Sequence, residues 1–301
     1  MTLENYLQQQ QLSEASIKAY LFVINKYVVF VGERKASNAT YTTIVDYVHY
    51  LLHQKKASVK SCKLAVNGIK HYYYYLQHIG KHGTHPCAYF DMKQRAYTAP
   101  HIDELFTPQE LQQLLILADT YIAQTTNNLE KHLAIRNKVA LSILVYQAVT
   151  LKELINLRLQ HIHIAQGTVH INERELPLHA TQILLLQDYL KSTRPYLLQR
   201  NTLNNTLNNE YVLLTNAGKP ANADVIHLII QGFRKGTISK HLTVTRIRQS
   251  VIAQLLKEGK DLRIVQCFAG HKQAHSTEKY SYNGINQLKG LIEQHHPLNR
   301  L

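Results

Sequence analysis

At 301 residues the chain can bury one or two substantial cores, and 34 Lys+Arg against 20 Asp+Glu leave a formal net charge of +14, which favours a polyanion such as nucleic acid over a small neutral substrate. Cys62, Cys87 and Cys267 share no CxxC spacing, so neither a disulfide framework nor a structural zinc site is indicated and a reducing compartment is the natural setting. No basic leader precedes an apolar run, and nothing approaches the roughly 20 apolar residues of a bilayer span, so a soluble, cytoplasmic protein without a membrane partner is expected.

The first predicted helix covers residues 13–31, with Ser13 as N-cap and Ile17, Tyr20, Leu21, Ile24, Tyr27, Val28 and Val31 on one face. Residues 42–53 repeat the pattern through Ile44, Val45, Val48, Leu51 and Leu52, and residues 58–78 extend it through Cys62, Ala65, Val66, Ile69, Tyr73 and Leu76. The run Tyr72-Tyr-Tyr-Tyr75 covers every face of its helix, so some rings must lie exposed or at a boundary. Core packing with a wet hydroxyl is the simpler account; contact with DNA sugars or with a second domain is the other. Lys55, Lys56, Lys60, Lys63 and Lys70 flank this region as candidate phosphate contacts, with a solvated face as the alternative. Residues 1–95 carry 12 Lys/Arg and 5 Asp/Glu, so both halves of the chain are basic.

Periodicity lapses around Pro100, and Thr107-Pro-Gln-Glu110 then opens a helix with Thr107 as N-cap, Pro108 at the first position and Glu110 closing a capping box. The predicted organisation is a helical bundle over 1–92, a linker over 93–104 and a second domain over 105–301. In that domain a long apolar helix spans about 129–149. Short strands follow at 161–165, 168–172 and 175–178, with Gly167 in the first turn. Helices resume from 179 to the end, interrupted by a polar loop over 201–209. The fold class is mainly α, two domains, with a small antiparallel sheet in the second.

The most informative stretch is the last. Thr243-Val-Thr-Arg-Ile-Arg248 is followed by Gly270-His271 and, nine residues after that histidine, by Tyr280. A guanidinium, an imidazole and a phenol on about three short helices can converge on one phosphodiester. This layout resembles the tyrosine recombinase, or phage integrase, family over nearly the whole chain. Leu12-Ser-Glu-Ala-Ser-Ile-Lys-Ala-Tyr20 is similar to that family's SAM-like core-binding domain, and Phe106-Thr-Pro-Gln-Glu110 to the opening of its catalytic domain. The resemblance implies a tyrosine that attacks a scissile phosphate, a 3′-phosphotyrosine intermediate and a leaving 5′-hydroxyl, with no metal and no other cofactor. It places Tyr280 at the nucleophile, Arg248 at the second arginine and His271 at the histidine after glycine.

The chain departs from the family at three positions. In Ala148-Val-Thr-Leu-Lys-Glu-Leu154, Thr150 stands where the family has its first arginine, while Glu153 is retained. In Thr245-Arg-Ile-Arg248, Thr245 replaces a histidine, and threonine does not shuttle protons near neutral pH. The hairpin that carries a lysine in the family is shortened, so Arg174 is the cation near its tip, and arginine does not serve as a proton donor. Lys152 and Arg158 lie at non-matching positions and in the wrong helical phase, and His241 and Arg246 are not counted as substitutes. Thr150, Thr245, Glu153 and Arg174 are therefore read as supporting residues.

The expected function is a site-specific DNA recombinase or integrase of a mobile element, acting on double-stranded DNA and not on a small molecule. A regulator or architectural protein on the same fold, without strand transfer, is the alternative. The amphipathic segment around Ile285, Leu288, Leu291 and Ile292 fits either a helix docking on a neighbouring subunit, giving a homotetramer on DNA, or packing on its own domain.

Overall fold

The computed structural model describes residues 1–32, 36, 38–92, 104–201, 210–235 and 240–281. It divides into two compact units, Met1–Tyr97 and Thr98–Leu301.

The first unit is built from α1 (Leu3–Gln9), α2 (Glu14–Val31), α3 (Tyr41–His49) and α4 (Val59–His78). Ser13 and Ser58 cap α2 and α4 by accepting the N–H groups of Ser16 and Ser61, as serine at an N-cap does for the unpaired donors of a first turn. The predicted 42–53 helix begins one residue earlier, capped at Thr40. Its last turn widens into a π-turn, Tyr50–Gln54. Gly68 lets α2 and α4 pack closely, because a Cβ there would stand 2.5 Å from Val23 Cγ2. The core holds Ile44, Val66, Ile69 and Leu76 together with Tyr27, Tyr47 and Tyr73.

Two of those tyrosines form a closed polar chain. The Tyr73 hydroxyl donates to the Ala36 carbonyl at 3.0 Å, and the Tyr27 hydroxyl donates to Tyr73 at 2.6 Å. Burial pushes both phenols up, Tyr27 to about 12. In the tyrosine run, Tyr73 is core, Tyr74 is exposed, and the Tyr75 hydroxyl donates to the Met1 carbonyl. Core packing with satisfied hydroxyls therefore accounts for Tyr73 and Tyr75.

The second unit opens with α5 (Pro108–Gln124), whose capping box is complete: the Thr107 hydroxyl accepts from Glu110 N–H and the Glu110 carboxylate accepts from Thr107 N–H. Helix α6 (Asn128–Gln147) is buried on nearly all sides, with Val139, Ala140, Leu141, Ile143 and Leu144 within the main core. Its buried polar residues are paired. Arg136 donates to the Leu214 carbonyl, and the Gln147 and Gln182 amides exchange hydrogen bonds at 2.9 Å. The predicted extension of this helix to Val149 fails because Ala148 takes a left-handed conformation, φ +47°.

After the short α7 (Leu151–Ile155) come β1 (Ile162–His163), β2 (Thr168–Ile171) and β3 (Arg174–Pro177), an antiparallel sheet in the order β1-β2-β3. β1 and β2 are shorter than predicted, β3 keeps its predicted length but starts one residue earlier, and residues 159–161 form a 3₁₀ turn. Ile171 pairs with Arg174, so the β2–β3 turn contains only Asn172 and Glu173, with Asn172 at φ +55°, a conformation asparagine tolerates. Then follow α8 (Ala180–Asp188), a π-turn over Tyr189–Thr193, and α9 (Arg194–Gln199). An extended stretch around 210–222 bridges Arg158 to Tyr211 and Leu214 to Pro220, breaking the predicted all-helical C-terminal half.

The remaining described helices are α10 (Ala223–Gly232), α11 (Val244–Lys257), α12 (Leu262–Ala269) and α13 (His275–Ser281). Among the described residues, no helix is long and apolar enough to cross a membrane. The linker around Pro100, most of the polar loop over 201–209 and the amphipathic segment beyond Tyr282 lie outside the described residues.

Candidate active site

Helix α11 is fixed at its N-terminus and at its middle. Thr243 caps it by accepting Arg246 N–H at 3.1 Å, and Ser250 accepts the Phe106 N–H at 2.8 Å, tying the opening segment of the unit to this helix. Lys240 adds bonds to the Leu105 carbonyl and to Glu110, each at 2.7 Å. With Val244, Ile247 and Ile252 buried, Arg248 is left on the flank of α11. Its guanidinium donates to the Ala148 carbonyl and, at 2.5 Å, to the Ala269 carbonyl. Arg248 thus bridges the C-terminal ends of α6 and α12, where carbonyls lack helical partners and the helix dipoles favour a cation.

Thr150 is the N-cap of α7. Its hydroxyl accepts from Glu153 N–H at 3.2 Å, and Glu153 Oε2 accepts from Thr150 N–H at 2.7 Å. Where the family has an arginine, this chain has a helix cap. The other oxygen, Glu153 Oε1, accepts from Asn172 at 2.9 Å and from the Arg174 guanidinium. Arg174 does not project from the hairpin: it turns inward, and its second nitrogen donates to the Phe268 carbonyl at 2.6 Å. Burial pushes the Glu153 carboxyl up, but the Thr150 N–H, Arg174, the Thr150 hydroxyl and Arg248 outweigh it, and the net shift is downward.

Arg174 and Arg248 therefore hold successive carbonyls, Phe268 and Ala269, in the last turn of α12. The next residue, Gly270, has φ +66°, and a Cβ there would lie 2.7 Å from Arg174 Nε. The Gly-His motif thus needs glycine both for its left-handed backbone and for the guanidinium packed on it.

His271 follows, its backbone clamped by Gln266 in both directions, N–H to the Gln266 carbonyl at 3.1 Å and carbonyl to the Gln266 amide at 3.0 Å. Its Nδ1 lies 2.8 Å from the buried Thr277 hydroxyl. Burial, then Arg248, Lys279 and Arg174, push the imidazole down to about 4, with Glu153 opposing, so His271 is neutral at physiological pH. The Tyr280 ring lies nearly parallel to it, with centroids 6.4 Å apart and planes 14° from parallel. Tyr280 is 5% exposed and rests on Ile252, Val265 and Ala269. Tyr280 is close enough to be felt at Arg248, whose net shift, led by burial and opposed first by Glu153, is downward.

Arg248, His271, Tyr280, Glu153, Arg174 and Thr150 are brought together in this way. Thr245 is exposed one turn before Arg248 on α11. Arg158 is spent on Glu210 at 2.6 Å, Lys152 is exposed, and Arg246 is held by Glu104 and the His241 carbonyl. Asn172, Thr277 and the left-handed Ala148 were not singled out from the sequence. Only Asn172 carried a local signal, as an asparagine in a tight hairpin turn. In the first unit, Lys60, Lys63 and Lys70 fall on one stripe of α4 with Asn67 and Tyr74, flanking the buried Cys62, Val66, Ile69 and Tyr73, with Lys60 exposed and Lys63 and Lys70 half-buried. Lys55 and Lys56 are exposed at the end of the π-turn, Lys55 over the Tyr50 ring.

The Phage integrase family model matches residues 104–285, and the model of the phage integrase N-terminal SAM-like domain matches residues 2–79. The chain belongs to the phage integrase family. Integrase-family relatives include the tyrosine recombinase XerD of Staphylococcus saprophyticus, 28% identical with 98% of each chain covered. The tyrosine recombinase XerD of Listeria innocua is 26% identical, covering 96% of this chain and 95% of the relative. Among solved structures, XerH site-specific recombinase bound to a palindromic difH substrate shares this integrase fold with TM-score 0.68 at 14% identity, over 96% of this chain and 82% of that one. The Tn1549 transposon integrase in complex with a circular intermediate DNA matches with TM-score 0.65 at 12% identity, over 93% and 95%.

Proposed function

We propose that the protein is a site-specific DNA recombinase that cleaves and rejoins strands through Tyr280. The observation that carries this reading is the convergence of Arg248, His271 and Tyr280, from α11, the α12–α13 connection and α13, on one cationic spot. The relatives named tyrosine recombinase, similar over nearly their full length, support it. Arg248 compensates charge on a nonbridging oxygen as the phosphorane forms. His271, neutral beside the phenol, accepts its proton. The Tyr280 oxygen bonds to phosphorus, the P–O5′ bond breaks, and the 5′ oxygen leaves as a hydroxyl after taking a proton from water. Return attack by a 5′-hydroxyl of another strand releases Tyr280. Because the phosphate ester is conserved throughout, no nucleotide energy source is consumed.

The α4 lysine stripe with Lys55 and Lys56 supplies sequence-independent phosphate contacts on double-stranded DNA. Assembly as a homotetramer on DNA in the cytoplasm completes the reading, and light scattering with and without duplex tests the assembly. The catalytic test uses duplexes selected for tight binding from a random pool and then nicked at successive positions, so that cleavage next to a nick loses the short strand and traps the protein. An SDS-resistant adduct whose tryptic peptide maps to Tyr280, absent in Tyr280→Phe, is expected. Failure of every nicked duplex to trap protein defeats the reading and leaves a DNA-binding regulator on the integrase fold.

A further inference from the structure

Arg174 is paired with the Glu153 carboxylate, and Arg248 lies within its electrostatic reach. Glu153 is the acidic side chain bonded to Arg174, and Arg248 bonds to the Ala148 and Ala269 carbonyls. The side chains of the Arg174–Glu153 pair are 10% and 13% exposed. Two guanidiniums beside one carboxylate and a neutral imidazole leave a positive charge in a partly desolvated place, which is costly unless an anion completes it.

Glu153 also does not need Arg174 to be satisfied. Thr150 N–H already serves one of its oxygens and the Asn172 amide the other. Of the five N–H donors of an arginine, Arg174 directs one nitrogen to Phe268 and one to Glu153, which leaves donors for a further acceptor. The two-residue turn explains how it arrives there: with Ile171 paired to Arg174, the side chain starts right beside the turn and folds back to the end of α12.

We infer that Arg174 is the second phosphate-binding guanidinium of this site, gripping a nonbridging oxygen of the same phosphate as Arg248 in place of the side chain that Thr150 does not supply. The inference rests on the recombinase reading for its catalytic consequence, while its binding consequence stands apart from that reading. A fork of donors that does not give up a proton suits the charge on a phosphate oxygen and not the protonation of a leaving oxygen.

The experiment compares wild type with Arg174→Ala and Arg174→Lys on nicked duplexes carrying either a normal scissile phosphate or a methylphosphonate, in which one charged oxygen is replaced by methyl. Arg174→Ala should slow adduct formation on the phosphate by about 10²–10³-fold, the usual cost of removing one fixed donor from a developing anion. On the neutral methylphosphonate it should lie within about tenfold of wild type, because the charge it compensated is gone. Arg174→Lys, with a point charge instead of a fork, should fall between. Affinity gives a readout independent of chemistry: methylphosphonate at the scissile position should weaken binding by wild type more than by Arg174→Ala, which keeps only Arg248 on that phosphate, and an equal loss in both would count against the inference.

An equal deficit of Arg174→Ala on both substrates would assign Arg174 a structural role and overturn the inference, as would wild-type rates on the phosphate. If wild type forms no adduct, the recombinase reading fails while the affinity comparison still decides for or against Arg174. Thermal melting of each variant accompanies the assay, and if Arg174→Ala does not fold, the same substrate comparison is read from Arg174→Lys.

Discussion

Both units of this protein bury polar groups, but they do so differently. In the first, the chain Tyr27 to Tyr73 to Ala36 closes on itself, each hydroxyl proton ending on a protein acceptor. In the second, Arg174, Arg248 and His271 crowd around one carboxylate and leave cationic donors over. A closed network stabilises its fold; one that stays open where burial is expensive marks the place where a ligand completes it. The tyrosine-rich helix α4, which looks like a recognition element by composition, devotes Tyr73 to its own core, and the site lies in the other unit.

This contrast can be broken most sharply at Tyr73. Tyr73→Phe leaves the Ala36 carbonyl and the Tyr27 hydroxyl without their partner, so chemical denaturation should show a loss of about 1–3 kcal/mol, while adduct formation per folded molecule is unchanged. A fall in adduct rate at constant folded fraction would mean that the two networks are not separate in role.

A second, smaller effect concerns the lysine stripe. Changing Lys60, Lys63 and Lys70 together to glutamine should reduce the slope of log affinity against log salt by roughly 0.9 for each of these lysines that neutralises a phosphate. It should do so without altering which DNA sequence is preferred. An unchanged slope would return the stripe to a solvated face.

The subtlest effect sharpens the comparison at His271. Its imidazole should titrate near pH 4 in the free protein, followed by NMR, and should move upward when DNA brings a phosphate beside it. The sign for stability follows from linkage. The unfolded chain takes up a proton near about 6.5 that the folded site refuses down to about 4. Stability is therefore fully present above that window and declines as pH falls through it. His271→Gln should flatten this part of the stability profile. A His271 that titrates near its ordinary value would mean that the imidazole is neither as buried nor as crowded by Arg248, Lys279 and Arg174 as the fold places it.

Much of this molecule was legible in advance. Ser13 and Thr107 announced their helices because a cap acts on donors two or three residues away. The order Arg248, Gly270-His271, Tyr280 pointed to the family because residues on neighbouring short helices cannot stray far from one another. Legibility ends where a side chain's duty depends on distant backbone. Thr150 reads as a lost arginine in sequence, whereas in the fold it caps α7 and orients Glu153. The predicted 129–149 helix is too long because nothing in Ala148 foretells a left-handed turn that presents its carbonyl to a residue 100 positions later.

The sequence alone determined the helical periods, the caps, the basic character and the family, since each depends on spacing along a few turns. The tertiary structure decided that Arg174 turns inward to a carbonyl 94 residues away and that Tyr280 lies against Ile252 and Val265 beside the cations. The physical reason is range. Propensity and capping act within a turn, while the partners of a buried charge are whichever dipoles and carboxylates the packed core brings within a few ångströms, and no local pattern encodes that distance.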